Sequence, residues 1–446
     1  MATKPNVIIL LADQLRAQAL GYAGDVNART PRIDALARQS VNFSNTITCC
    51  PLCSPARASL LTGQFPLSHR VIINDVHLGN VAPSIASVFR NAGYDTAYIG
   101  KWHLDGSGNR SAFIPKDRRQ EFSFWSVLEC THDYYHSLYW GDDDMMHQWK
   151  GYDAIAQSKA AREYIKSRDS STPFFLVVSW GPPHDPYRAV SWQFKRKFPP
   201  GHLDTRLNVP DPVQKQSRKD LSGYYAHVSA LDYCCGMILD AVKETGIEKE
   251  TIIVFMSDHG DLLGSHGLQG KQAPWDESIR IPLLIKDPRM VGGNKLETDY
   301  PINVPDIMPT ILSLCNLPVP DSVEGRDRSG VMTGGEVPVD GAALFACYSP
   351  ICNWHETGKE YRGIRTSQHT FVRSLQGPWL LYDNIADPFQ LHNLVGNKAF
   401  SDVQDRLDTA LAARLKEIGD EFLPGEQYLK EFGYHVGPDG AVPYKN

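Results

Sequence analysis

Three cysteines precede a helix-like run in "CCPLCSPARASLLTG" (Cys49–Gly63), with Pro55 and Arg57 directly behind the last thiol. Such a stretch suits a metal knuckle, part of a disulfide framework, or a side chain that reacts. A zinc knuckle at Cys49, Cys50 and Cys53 lacks a second pair of ligands at finger spacing. Nine cysteines in 446 residues, an odd count at low density, argue against a disulfide framework. Chemistry at Cys53 remains. A cysteine at a helix start, with Arg57 one turn on, sits in a positive field that stabilises a thiolate or another anion.

Further polar residues fall directly after strand-like runs. Asp13 and Gln14 follow "NVIILLA", and Lys101 and His103 stand in "GKWHL" after "YDTAYIG". His184 lies in "GPPHDPY" after "PFFLVVSW"; Asp258, His259 and Lys271 lie in "DHGDLLGSHGLQGK" after "TIIVFMS". Each alone has a bland reading: Asp13 a turn former, His103 or His184 a hydrogen-bonded histidine, Lys271 a solvated cation. Together they bring carboxylates, imidazoles and ammoniums to one sheet edge, the carboxyl ends of the strands, where open parallel sheets bind ligands. Asp13, Gln14, Asp258 and His259 offer oxygens and one imidazole to a hard divalent cation. Calcium fits best, with manganese or zinc also compatible. A thiol nucleophile would want a histidine base instead. Cation and cysteine are mismatched on the residues alone.

The elements that must position these groups alternate. Apolar runs at Asn6–Ala12, Tyr94–Gly100, Pro173–Trp180 and Thr251–Ser257 read as strands buried on both faces, with Pro282–Asp287 as a fifth. Helical spacing marks "TPRIDALARQS", "SIASVFRNAG", "YDAIAQSKAAREYIKS" and a long helix over 221–244. This predicts an α/β fold, a largely parallel sheet sandwiched by helices. Past the Gly-rich "MTGGEVPVDG" the strands shorten into a meander followed by the helix "SDVQDRLDTALAARLKEIGD". A catalytic domain over 1–340 and a smaller C-terminal α+β subdomain over 341–446 are therefore expected.

The net charge of −6 leaves no basic footprint for nucleic acid, and no apolar run approaches the ~20 residues of a membrane span. "VIILLA" runs straight into Asp13 without a cleavage site, so it reads as a strand of the mature fold. A cytoplasmic protein is the default expectation, and a periplasmic or secreted one if a signal peptide has been removed.

"CSPAR" followed by "ASLLTG" resembles the signature of the type I, formylglycine-dependent sulfatases of the alkaline phosphatase superfamily. "PNVIILLADQ", "GKWHL", "SDHGDLLGSHGLQGK" and "LYDNIADPFQLHNL" are similar to four further blocks of that family. The resemblance implies an alkaline-phosphatase-like fold and hydrolysis of a sulfate monoester on a carbohydrate or an aryl group. It implies that a formylglycine-generating enzyme oxidises Cys53 to an aldehyde, whose hydrate is the nucleophile. That removes the mismatch, because a diol oxygen suits a hard cation, and Cys49 and Cys50 need only pack. By the same resemblance Asp13, Gln14, Asp258, His259 and modified Cys53 hold the metal, and Asp258 takes the nucleophile's proton. Arg57 orients the diol, Lys101 and Lys271 contact the sulfate, His184 protonates the leaving oxygen, and His103 assists collapse to the aldehyde.

Two positions depart from the family pattern. Gln14 stands where a second Asp is common, and Gln390 where Glu is usual. An Asp-Gln pair also occurs in phosphonate monoester and phosphodiester hydrolases of the same scaffold, which makes those activities the alternative. The aromatic- and histidine-rich segment Leu128–Trp149 is expected to wall the substrate pocket, with Asn74–Leu78 and Cys352–Glu356 as weaker candidates.

Overall fold

Asn6–Asp13 is buried along its whole length, with alternate side chains entering two different cores. Val7, Ile9 and Leu11 face one layer; Ile8, Leu10 and Ala12 face the other. A strand can do this only at the centre of a sheet covered on both sides. The computed structural model describes residues 4–169, 171–290, 297–332, 341–351 and 358–444.

Six strands carry the sheet: β1 (Asn6–Asp13), β2 (Asp95–Lys101), β3 (Phe124–Leu128), β4 (Phe174–Pro183), β5 (Thr251–Ser257) and β6 (Leu283–Lys286). Their spatial order is β6-β5-β1-β4-β2-β3. Short strands Val41–Phe43 and Glu297–Thr298 extend the β6 edge, and Leu138–Trp140 and Met146–Gln148 extend the other. Strands β1 to β5 pair in parallel. On one face lies helix α1 (Cys53–Thr62), and on the other lie α2 (Asp153–Lys166) and α3 (Asp211–Glu244). The expected fold class is the observed one. No helix among the described residues is long and apolar enough to cross a membrane.

Three details differ from the sequence reading. Leu283–Lys286 joins the sheet antiparallel to β5. Its connection passes through the 3-10 turn Ser265–Gly267 and the short helix Asp276–Ile279, with no long helix to carry the chain back across the sheet face as a parallel return needs. Strand β3 was not predicted. The long helix starts at Asp211 instead of Leu221, because Pro212 in its first turn favours helix initiation while the exposed "DPVQKQSRKD" shows no apolar period.

The chain closes with an antiparallel sheet, β7 (Ala343–Cys347), β8 (Tyr361–Arg365), β9 (His369–Ser374) and β10 (Gly377–Asp383), in that spatial order. Helix α4 (Ser401–Glu417) lays Leu407, Leu411 and Leu415 against it, a spacing of one turn each. Cys49 and Phe65 belong to the same cluster, and the Ala346 amide donates to the Cys49 carbonyl at 2.9 Å. The smaller sheet thus packs directly behind the cysteine segment. The expected boundary near residue 340 lies outside the described residues. Cys49 and Cys50 are buried free thiols, and burial pushes Cys49 up to about 12.

Gly100, just before Lys101, is where backbone packing reaches the site. It holds φ +109°, and a Cβ there would stand 2.0 Å from the Ser179 carbonyl oxygen. Gly100→Ala is expected to cost about 3 kcal/mol, from left-handed strain plus the clash between β2 and β4. Gly93→Ala also has positive φ but meets nothing within 4 Å, and should cost about 1 kcal/mol. Urea unfolding of both variants checks the difference; equal losses would mean that the β2–β4 approach is slack.

Candidate active site

Cys53 is the first residue of α1, and every residue of that helix is buried. The helix ends at Gly63, which takes the left-handed conformation that stops it cleanly. The Sγ lies 3.1 Å from Lys271 Nζ, 3.2 Å from His259 Nε2, 3.7 Å from Asp13 Oδ1 and 3.8 Å from Lys101 Nζ. Burial would raise this thiol, but Lys101, Lys271 and His259 outweigh it and hold Cys53 well below the usual range. The position therefore stabilises an anion.

Arg57 stands one turn further along the same face. Its Nε donates to Asp258 Oδ2 at 3.0 Å and its Nη2 to Asp13 Oδ2 at 3.1 Å. Nη1 donates to the Lys101 carbonyl at 3.0 Å and to Ser179 Oγ at 2.8 Å. These hydrogen bonds run to the carboxylates and the sheet, and orient Cys53 through the helix it shares with Arg57. Lys101 Nζ donates to Asp13 Oδ2 at 2.6 Å. Burial and Cys53 act to raise Asp13, yet Lys101, His184 and Arg57 keep it below the ordinary carboxylate range.

Asp13, Cys53, Asp258 and His259 each present a ligand atom, all within 4.8 Å of one another. His259 Nδ1 lies 3.0 Å from the Gly260 carbonyl, so this nitrogen carries the proton and Nε2 faces the cluster with its lone pair. Gln14 Nε2 donates to Asp261 Oδ2 at 2.7 Å, which sets the amide orientation. The Gln14 Oε1 is then buried with no hydrogen-bond partner. An orphaned acceptor beside two carboxylates and an imidazole is the donor set of a hard divalent cation, so these residues fit one.

His184 Nε2 lies 3.0 Å from Lys271 Nζ, and its ring stacks on His132 at 4.6 Å. Tyr134 holds this loop by donating its hydroxyl to the His184 carbonyl at 2.7 Å. His103 has φ +61°, its carbonyl accepts Ser54 Oγ at 2.6 Å, and Nε2 meets Asp75 Oδ1 at 3.2 Å. Burial would lower His103, but Cys130 and Asp75 raise it to about 10. Cys53, Lys101, His103, His184 and Lys271 line one cavity of about 220 Å³. Every sequence-derived site residue thus lies in this cavity, in the four-residue cluster, or bonded to one of them.

Residues around this cavity extend the site: Asp75 comes from the candidate segment Asn74–Leu78, whereas Arg110 and Tyr444 were not assigned from the sequence. Asp75 bridges His103 and Arg110, whose Nε and Nη2 donate to it at 2.9 and 2.8 Å. Tyr444 covers the Arg110 guanidinium at 3.4 Å. Ile351 and residues 439–442 complete the wall. Glu129 accepts the Leu104, Asp105 and Gly106 amides and so fixes the turn after His103. From Leu128–Trp149, His132 reaches the cavity, while Tyr139 and Trp149 stack on each other at 3.9 Å. Asn74 and Asp75 line it; Cys352–Glu356 lies outside the described residues. A buried serine inside the apolar "FFLVVSW" was a readable signal for Ser179. Arg110 and Tyr444 carried none.

The model for the family described as "Sulfatase" matches residues 5–317, and one described as "N-sulphoglucosamine sulphohydrolase, C-terminal" matches 264–417. The chain is 41% identical to an ulvan-active sulfatase of Formosa agariphila, over 99% of this chain and 87% of that one. It is 31% identical to an endo-4-O-sulfatase of Bacteroides thetaiotaomicron, over 94% and 93%. A solved structure from the glycosaminoglycan locus of B. thetaiotaomicron superposes with TM-score 0.85 at 30% identity, covering 96% of this chain and 99% of that one. This chain belongs to the sulfatase family of the alkaline phosphatase superfamily, whose members are sulfuric ester hydrolases. The phosphonate alternative is set aside. The phosphonate monoester hydrolase of Agrobacterium radiobacter, with TM-score 0.73 at 24% identity over 94% and 96%, shares the fold alone.

Asp261 explains why an amide stands at position 14. A carboxylate there would face the Asp261 carboxylate in place of the present 2.7 Å hydrogen bond. Gln14→Asp is expected to take up a proton or bind cation about 10- to 100-fold more weakly. Gln14→Asp/Asp261→Asn restores a donor opposite the new carboxylate and should recover binding. Metal content after dialysis measures this; a single variant that binds as well as the parent would contradict the pairing.

Proposed function

We propose that this protein hydrolyses a sulfate monoester on a carbohydrate. The observation that carries this reading is the seat of Cys53 Sγ, within 3.2 Å of both Lys271 Nζ and His259 Nε2 and inside the cation-competent cluster. The ulvan and 4-O-sulfated substrates named for its relatives support a saccharide. A formylglycine made from Cys53 by a dedicated generating enzyme would supply the nucleophile. A divalent cation, calcium by its oxygen-rich donors, would be held by Asp13, Gln14, Asp258, His259 and the residue-53 side chain, and would neutralise charge on the sulfate.

The chain's own groups fill the remaining roles. Lys101 and Lys271 supply positive charge against the sulfate oxygens. Asp258 receives the nucleophile's proton. His184 turns Nε2 toward Lys271 and the cavity, from where it donates a proton to the leaving alkoxide. His103, held by Asp75, serves the release of sulfate. Arg57 keeps Asp13 and Asp258 apart and in register with Cys53.

Turnover of 4-nitrophenyl sulfate by protein co-expressed with a formylglycine-generating enzyme tests the activity, and mass spectrometry of the Cys53 peptide tests the modification. Cys53→Ser should keep its fold within about 1 kcal/mol, since serine suits a helix start, yet release at most one equivalent of 4-nitrophenol per chain and remain as its sulfate ester. Sustained turnover by this variant would remove formylglycine from the account. Calcium at a hundredfold excess over its Kd should add about 2.7 kcal/mol of stability, read as a raised Tm and lost on chelation. Asp258→Asn should lower kcat by about 10² to 10⁴ at saturating calcium; a near-parental rate would move the base elsewhere.

A further inference from the structure

A second, larger cavity of about 710 Å³ abuts the first across the His184–Asp185 pair. His184 lines the small cavity and Asp185 the large one; the His184 Nδ1 and Asp185 Oδ1 lie 3.1 Å apart. The large cavity is lined by Arg188, Lys195, Arg196 and Lys219 against two acids, Asp185 and Asp220. Among the described residues none of these four cations is ion-paired, and Asp185 is engaged with His184. Trp192 stands among them with 74% of its surface exposed.

A lone exposed tryptophan needs no explanation. This one stands in a groove whose walls are held. Tyr187 donates its hydroxyl to Asp261, the residue that orients Gln14. A Cβ on Gly223 of α3 would fall 1.9 Å from the Tyr187 carbonyl oxygen, so helix and loop are in full backbone contact. Ser222 Oγ donates to the Phe198 carbonyl at 2.6 Å. The 220 Å³ catalytic cavity is below the roughly 300–1,000 Å³ that enclose a drug-sized ligand, so any longer substrate must continue outside it.

We propose that this groove binds the sugar units flanking the scissile one in an anionic polysaccharide chain. Resting on the sulfatase reading above, it extends the substrate from a single sulfated sugar to a polymer. The unpaired guanidinium and ammonium groups recognise sulfate or carboxylate substituents. The Trp192 ring stacks on the apolar face of a pyranose.

The test uses the full chain with Trp192→Ala and with Arg188→Ala/Arg196→Ala, all at exposed positions. Calorimetry measures direct binding of ulvan, chondroitin sulfate and carrageenan chains, and turnover of 4-nitrophenyl sulfate is measured beside it. Both variants should bind the preferred chain about tenfold more weakly, with KM for that chain raised and kcat kept. Turnover of 4-nitrophenyl sulfate should be unchanged, and neutral dextran should not bind. Parental chain binding by both variants, no binding of any sulfated chain by the parent, or a parallel fall on 4-nitrophenyl sulfate would overturn the proposal. So would polyphosphate bound as tightly as the chains and insensitive to Trp192→Ala, which would leave a plain anion patch. A parent that binds chains through Trp192 but hydrolyses no sulfate ester would refute the hydrolase reading and support the groove.

Discussion

The active site depends on one buried guanidinium. Arg57 is 2% exposed and contacts four parts of the sheet: Asp13 at the end of β1, the Lys101 carbonyl on β2, Ser179 on β4 and Asp258 just past β5. Moving such a charge out of water costs several kcal/mol, and only good geometry with further hydrogen bonds offsets it. Here two carboxylates and two neutral acceptors provide that geometry. Because Cys53 lies four residues earlier on the same helix, its position above the carboxylates follows directly. The four strand ends and Cys53 are thereby held as one unit.

Charge balance then divides the groups. Arg57 pairs with both Asp13 and Asp258, and Lys101 adds a second cation against Asp13, so the buried carboxylates each face a positive partner. Lys271 instead lies at the cavity side, beside Cys53, His184 and His259. Around this, a further layer fixes orientation. Asp261 turns the Gln14 amide, Asp75 holds His103, and Glu129 ties the turn that presents it. Tyr187 belongs to both regions: it bonds Asp261 on one side and lines the outer groove on the other. The orientation of the Gln14 amide and the lining of the larger groove are therefore mechanically joined.

Much of this was legible in the sequence, for a local reason. Buried parallel strands announce themselves as unbroken apolar runs, and a polar residue directly after one has few places to go but the sheet's carboxyl edge. Asp13, Lys101, His184 and Asp258 were found that way, and Cys53 with Arg57 by the spacing of one helical turn. Gln14 was marked as a departure from the family pattern, yet its partner Asp261, only three residues beyond Asp258, passed unnoticed because a side-chain hydrogen bond leaves no periodic trace.

What the sequence by itself determined is the buried strands β1, β2, β4, β5 and β6, the polar residues that follow the first four and the family signature, since all three rest on neighbours within a few residues. Tertiary structure alone decided the rest. The antiparallel entry of Leu283–Lys286 depends on the lack of a long crossover helix before it and on the pairing it finds with β5 and Val41–Phe43. Arg110 is made part of the site by Asp75 and by Tyr444 from the far end of the chain. Trp192 and its cations form a groove because α3 crosses against the loop after β4. Each of these joins residues from separate segments, where packing and charge act through space and the order of the chain carries no record of the contact.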